Sequence, residues 1–556
     1  MSARGVRTLL LALVALLLWL VLYPNLMVLA DSLRTPAGWG LAAYARFLAS
    51  HAERLALWNS VWISVASVLL SALIGVPLAF LFSRYAFPGR RVLAALVSLP
   101  VLLPPLVGVV AFLFLYGETG FLTRGVQLLL GLDEPPWRLA GAGAVLLVHA
   151  YTMYVYFFAF TRAALARLDE SHAEAAAALG AGRWRTLTRV TLPMLAPALG
   201  GAALLVFMTS IGSFSAPYVF GGGFRVLTTQ VFASKLNGDL QMAAVETVAL
   251  ALASVLALAL LQRFEAGRRY TGAGKGALGG ARLRRLSPRT RALLSAFAVA
   301  LVGFLLLPHA TVFLVSLVPE GSWTTQLLPP RYTLANYASL FGDAQMLQPV
   351  VNSLRMASVA TLANVVLAVA AAYVLARPGR LRGRGLLALL IALPWALPGT
   401  VLAIALATTF SVQQPLAGRF VWVGTFVILP LAYFLRNIPL VTRAALTSFQ
   451  QLDPALEEAA ASLGASQART LRRVVLPLVL PGLAAGAVLA FVTALGEFVA
   501  SILLYTHRTR PISIEILSQL RAFDFGLAAA YGVLLIALML VAFLLASRTE
   551  TPATGA

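Results

Sequence analysis

Hydrophobic and polar residues are segregated into long blocks along this chain. Apolar runs near the length of about 20 residues that crosses a bilayer as a helix fall at roughly 8–30, 60–83, 92–115, 140–160, 194–220 and 242–262. A second set falls at roughly 292–318, 353–376, 385–410, 419–440, 478–504 and 526–546. Hydrocarbon offers the backbone no hydrogen-bond partners, so each run is expected to be helical. The pattern predicts an all-α integral membrane protein with about twelve transmembrane helices, six and six. The first run follows Arg4 and Arg7, as the apolar stretch of a signal peptide would. It is too long for such a segment and no small-residue cleavage site follows, so it reads as a span.

The two sets repeat each other in detail. Leu41-Ala42-Ala43-Tyr44-Ala45 returns as Leu334-Ala335-Asn336-Tyr337-Ala338, and Asn59-Ser60 returns as Asn352-Ser353. Pro100 and Pro104 return as Pro394 and Pro398, and Thr161-Arg162-Ala163-Ala164-Leu165 returns as Thr442-Arg443-Ala444-Ala445-Leu446. The offset shrinks between the last two pairs. The first half therefore carries about ten extra residues, which fall in the loop around Gly117–Leu139. An even number of spans per half makes the repeats parallel rather than inverted. The expected division is a first half at 1–264, a basic cytoplasmic linker at 265–291 and a second half at 292–556.

Composition agrees with this picture and narrows it. The chain is 60% hydrophobic and has no cysteine, which excludes disulfides, thiolate metal sites and cysteine nucleophiles. Five scattered histidines offer no metal-ligand spacing. The net charge of +22 would suggest nucleic acid in a soluble chain. Placing both termini in the cytoplasm puts almost the whole excess on the inner face, as membrane topology requires. The charge reports orientation, and no nucleic-acid partner is expected.

One cytoplasmic motif occurs twice. Glu174-Ala175-Ala176, Gly180 and Val190 lead to Leu192-Pro193, and Glu458-Ala459-Ala460, Gly464 and Val474 lead to Leu476-Pro477. Every landmark of the second copy stands 284 positions after the first. Alanine and glutamate favour a short helix with a close-packing face, and glycine ends it in the left-handed conformation. A second helix from about Gly182 then reaches proline at the membrane surface. The product is a compact knuckle at 174–193 and again at 458–477.

This spacing resembles the EAA loop of ABC-importer permeases, and two copies in one chain look like a fused permease of the type I importer fold. The resemblance implies two copies of an ABC ATPase seated on the knuckles and a periplasmic or extracellular solute-binding protein that delivers cargo. It also implies an inner-membrane location, with ATP and magnesium on the partner ATPase and no cofactor on this chain. The permease itself is then no enzyme. The chain is similar in length and segments to ferric-iron permeases, with thiamine, phosphonate and other small-solute importers as alternatives. The segments Gly212-Ser213-Phe214, Gly221–Arg225, Gly496-Glu497-Phe498 and Arg510-Pro511 carry that likeness.

Candidate pathway residues follow from chemistry inside the membrane. Glu497 lies within a span, opposite Ser213 in the repeat. A charge there is costly, so it either faces a cavity or is satisfied by a neighbouring helix. Pro104 and Pro398 free backbone carbonyls within their spans, which suits a hinge, a pathway lining or a static kink. His149 is read as a hydrogen bonder in the packing. The Gly272–Gly276 run in the linker lacks the spacing of a phosphate-binding loop. An ion-coupled secondary transporter would share the twelve spans, but Glu497 and Glu246 are a thin supply of coupling groups and both knuckles would be unexplained.

Overall fold

The computed structural model describes residues 3–35, 38–169, 171–266, 283–284, 286–322, 326–377 and 381–549. Most of the linker read at 265–291, including the Gly272–Gly276 run, lies outside them. Among the described residues ten helices are long and apolar enough to cross a bilayer, and the bent pair Arg384–Ala396 and Gly399–Phe410 makes eleven. The helix that falls short of the expected twelve is Ile428–Gln450. Its length suffices, but Arg436, Asn437 and Arg443 lower its hydropathy. Two of these groups are satisfied by protein. Arg436 pairs with Glu497 at 2.9 Å, and Asn437 donates to the carbonyls of Tyr433 and Ala490. The apolar run expected from 419 also begins later than it reads, because residues 411–427 form turns and bends.

Prolines decide where the third span of each half breaks. In the first half Arg90–Val97 passes through a 3-10 turn at Leu99–Leu102 and restarts as Pro105–Tyr116. Its counterpart turns by 108° between Ala396 and Gly399. Proline has no N–H to donate and its ring crowds the carbonyl four residues back. Pro104 and Pro398 both sit just before the restarted helix, with ψ of 141° and 150°. The extra residues of the first half form a helix of their own, Phe121–Leu130.

Each half packs alike. The second helix lies along the fourth, His51–Arg84 on Gly141–Arg167 and Ala344–Ala376 on Ile428–Gln450, with the fifth helix against both. The first helices are exchanged. Tyr23–Leu33 packs on Gly399–Phe410 of the second half, and Pro288–Val315 packs on Pro105–Tyr116 of the first. Trp19 secures one side of this exchange. Its indole N–H donates to the Leu416 carbonyl, and its ring meets Phe410 and Trp422 edge-on at 5.9 Å.

The short repeats seen in the sequence make equivalent hydrogen bonds. Tyr44 and Tyr337 each bond a serine hydroxyl at the end of a first helix, Ser32 and Ser316, both at 2.7 Å. Asn59 donates to the Arg225 carbonyl, and Asn352 to those of Arg508 and Arg510. Ser60 and Ser353 accept from the amides of Leu227 and Ile512, both at 2.8 Å. In each half the recurring Asn-Ser pair ties the second helix to the segment that follows the fifth.

Candidate functional site

Both knuckles fold as their composition dictates. The first helix is Ser171–Ala178 in one and Pro454–Ser462 in the other. Gly180 and Gly464 follow with φ of +82° and +78°, where a side chain would strain the backbone. The closing hydrogen bonds are the same. Gly180 and Ala181 donate to the carbonyls of Ala177 and Ala176, and Gly464 and Ala465 donate to those of Ala461 and Ala460. This pairing ends a helix by satisfying its last carbonyls. Short helices from Arg183 and Gln467 then widen into a π-turn, at Leu187–Thr191 and Leu471–Val475, immediately before Leu192-Pro193 and Leu476-Pro477. Proline cannot donate to the carbonyl four residues back, and the wider turn absorbs that missing bond.

The knuckle surfaces face outward from the bundle. Glu174, Ala175, Glu458 and Ala459 are exposed, with Ala176 and Ala460 partly so. Leu179 and Leu463 are 89% and 88% exposed beside the glycines. Each knuckle thus holds a large aliphatic side chain in the open at the same place.

Two supports escaped the motif reading. Asp169 and Asp453, again 284 positions apart, accept from the amides of Ser171 and Ala455 at 2.9 Å and cap the knuckle helices. The Ser171 amide, with its hydroxyl, holds the Asp169 carboxyl below its ordinary range. The second support is asymmetric. Arg377 at the end of Ala344–Ala376 pairs with Glu457 at 3.0 Å and lies 4.3 Å from the Tyr373 ring centre. These residues, with Glu458, Gln467 and Thr470, line a cavity of about 190 Å³. Arg84 and Phe80 stand in the same places in the first half, at 5.6 Å, but the position matching Glu457 is Ala173.

At the other end of the fifth helices the halves meet. Leu192–Ile211 and Leu476–Leu495 both stop at glycine, and two residues follow it before a short helix begins, at Ser215 and Val499. Here Gly212 faces Pro398 and Gly496 faces Pro104, with a Cβ on either glycine lying 3.5 and 3.7 Å from the proline Cβ of the other half. The candidates Ser213, Glu497, Pro104 and Pro398 are thus gathered at one boundary. Phe214 and Phe498 close it, with ring centres 5.8 Å apart and both side chains buried.

The residue before each phenylalanine is held by the fourth helix of its own half, through different chemistry. Glu497 is buried, takes the Arg436 guanidinium on one oxygen and accepts from the Ala500 amide on the other. Ser213 hydrogen-bonds His149 Nε2 at 2.8 Å, while His149 Nδ1 meets Ser67 and Ser210 at 2.9 and 3.1 Å. The Ser67 hydroxyl donates to the Ile63 carbonyl and Ser210 donates to Ser67. The network therefore assigns the proton to Nδ1, and Ser213 donates to Nε2. Thr228 and Ser513 donate in the same way to the carbonyls of Ser213 and Glu497. Among the described residues no group of three His, Cys, Asp or Glu could hold a metal ion.

The sequence matches the family described as binding-protein-dependent transport system inner membrane component, over residues 71–270 and 364–550. A probable ABC transporter permease protein of Sinorhizobium fredii is 33% identical over 511 residues, which cover 91% of this chain and 89% of that protein. A ferric transport system permease protein of Actinobacillus pleuropneumoniae is 26% identical over 542 residues, covering 96% of this chain and 77% of its relative. A sulfate transport system permease protein of Salmonella typhimurium is 33% identical over 268 residues, or 46% of this chain and 93% of that one.

Proposed function

This chain belongs to the family of binding-protein-dependent transport system inner membrane components, and we propose that its two knuckles seat two copies of a separate ABC ATPase while the Phe214–Phe498 boundary gates the cargo. It is a fused ABC importer permease, a translocation subunit with both membrane halves in one polypeptide. The observation that carries the coupling role is the paired knuckle, which presents Leu179 and Leu463 to water beside glycines of matching left-handed conformation. Parallel repeats put both knuckles on one side of the membrane, with the termini on that side as well. A solute-binding protein meets the opposite face. ATP-driven approach of the two ATPases would pull the knuckles together, and the fifth helices would carry that movement to the seal at their far ends.

The cargo we assign is ferric iron. The ferric relative shares the two-half length of this chain and matches across both halves, which supports that choice, whereas the sulfate relative is a single-half protein matched over 93% of its own length. The coupling role is tested with Leu179→Asp and Leu463→Asp in cells that carry the cognate ATPase. Each is expected to weaken co-purification of the ATPase and to lower ATP-dependent uptake, and the double variant to abolish both. Unaided ATP hydrolysis by the purified chain, or labelling of Gly180 and Gly464 from opposite faces of the membrane, would overturn the assignment.

A further inference from the structure

Two cations stand beside the aromatic seal, one from each half, and each is bound to a neutral group of the other half. Lys235, on the helix Leu227–Leu236, donates to the backbone carbonyl of Leu503 in the short helix after Glu497. Arg521, at the end of the helix Ile512–Arg521, donates to the Tyr218 hydroxyl and lies 5.6 Å from that ring centre. Tyr218 is stacked on Phe214 at 5.1 Å, so Arg521 is one ring removed from the seal. Both helices follow the fifth span of their half in the chain, and the knuckle precedes that span.

The carboxylates of this region have other partners. Glu515 binds Arg510 at 2.7 Å, Asp239 binds Arg46 at 3.1 Å and Asp524 caps the Leu527 amide. Glu53 and Glu246 accept from Gln230 and Ser234. Lys235 is partly buried, and its desolvation pulls the ammonium below its ordinary pKa. A partly buried cation whose partner is a carbonyl dipole lacks the counter-charge that usually accompanies it. The repeat does not account for the pair either. Gln519 stands where the second half would match Lys235, and Asn237 where the first would match Arg521.

We propose that Lys235 and Arg521 form an oxyanion-binding rim at the outer side of the Phe214–Phe498 seal. The cargo then arrives with negative charge: the ferric ion assigned above travels enclosed by oxyanions, and a free oxyanion in its place would replace the ferric assignment. This rests on the importer reading and narrows its cargo. A bare ferric ion is repelled by the rim, whereas a ferric ion in an anionic complex is attracted. An oxyanion that takes either donor also releases the Leu503 carbonyl or the Tyr218 hydroxyl, each of which ties one half to the other.

The test is thermal unfolding of the purified full-length chain in sodium sulfate, sodium citrate or ferric citrate, each against sodium chloride of equal ionic strength. A saturable rise in the unfolding midpoint is expected with at least one of them. Response to sulfate or citrate alone identifies a free oxyanion, and response to ferric citrate alone identifies a metal complex. Lys235→Gln and Arg521→Gln should each raise the half-saturating concentration about tenfold, the scale of one charge-assisted hydrogen bond. Lys235→Arg keeps the charge and should stay within about twofold of the parent by the same measure, as should Arg331→Gln in an outer loop. No saturable rise with any anion, or titrations of both glutamine variants that superimpose on the parent's, would sink the rim. Co-purification with the ATPase reads the importer assignment separately, so flat titrations with intact co-purification reject the rim alone.

Discussion

Phe214 and Phe498 meet across the boundary between the two halves at 5.8 Å, each one residue past the group that ties its chain to the scaffold. Two buried aromatic rings stand at the boundary that we propose gates the cargo. Phe214→Ala and Phe498→Ala should therefore let small ions leak without ATP, the double variant most. Iodide entry into proteoliposomes of the purified chain measures this. Each truncation removes a buried ring, which costs about 3 kcal/mol or more of stability. Variants that remain folded yet tight to iodide would show that the seal lies elsewhere.

Arg436 and Glu497 are a charge pair that the first half replaces with His149 and Ser213. Glu497→Ala strands the guanidinium and should cost about 2 kcal/mol. Combining it with Arg436→Leu should cost less than the two changes added, a coupling that a double-mutant cycle of thermal unfolding reads directly. Glu497→Gln keeps an acceptor for the Ala500 amide and should be milder. Uptake that is unchanged in both Glu497→Gln and Glu497→Ala would remove this residue from the pathway.

Among the described residues the tether from Arg377 to Glu457 has no counterpart under the first knuckle. Glu457→Ala should loosen that knuckle by about 0.5 kcal/mol, as expected for a partly exposed pair. Hydrogen exchange over 455–465 should quicken while exchange over 171–181 stays as it was. Ala173→Glu places a carboxylate opposite Arg84 and should slow exchange in the first knuckle.

Asp169 supports the first knuckle with a carboxylate held below its ordinary value of 3.8, chiefly by the Ser171 amide. A lowered folded-state value means that the stabilisation is fully present above the ordinary value. It is lost as the pH falls through the lowered one. Exchange protection of residues 171–178 should therefore decline only in strong acid. Asp169→Asn keeps a capping acceptor and should remove that pH dependence. An unchanged acid profile in the variant would deny Asp169 this role.

The knuckles were legible in the sequence because backbone chemistry alone specifies them. Ala-rich turns, a glycine and a proline each dictate a local conformation, and 284-residue spacing doubles the signal. Pro104 and Pro398 were legible as breaks for the same reason. What stayed hidden depends on which side chains meet across the halves. Ser213 and Glu497 read as equivalent positions, but nothing local says that one finds a histidine and the other an arginine. Phe214 and Phe498 look like any aromatic pair until the fold brings them together. Ile428–Gln450, the run read at 419–440, is the one expected span that misses a hydropathy threshold, because such a scale counts Arg436 as facing lipid, whereas its charge is met by Glu497.

The exchanged first helices constrain how the molecule is made. Tyr23–Leu33 leaves the ribosome some 366 positions ahead of Gly399, the start of the helix against which it finally rests. At roughly 5–20 residues per second that interval is on the order of 20–70 seconds. Through it the segment Arg4–Leu33 must survive in lipid with only its own-half neighbour Leu240–Ala266 made and its second-half neighbour not yet synthesised, which the mean hydropathy of 2.4 over its most apolar 18 residues permits. Assembly therefore ends late. The earliest helix gains its second-half neighbour only when translation has passed deep into the second repeat, and a chain stalled before that point leaves Trp19 without Phe410 and Trp422.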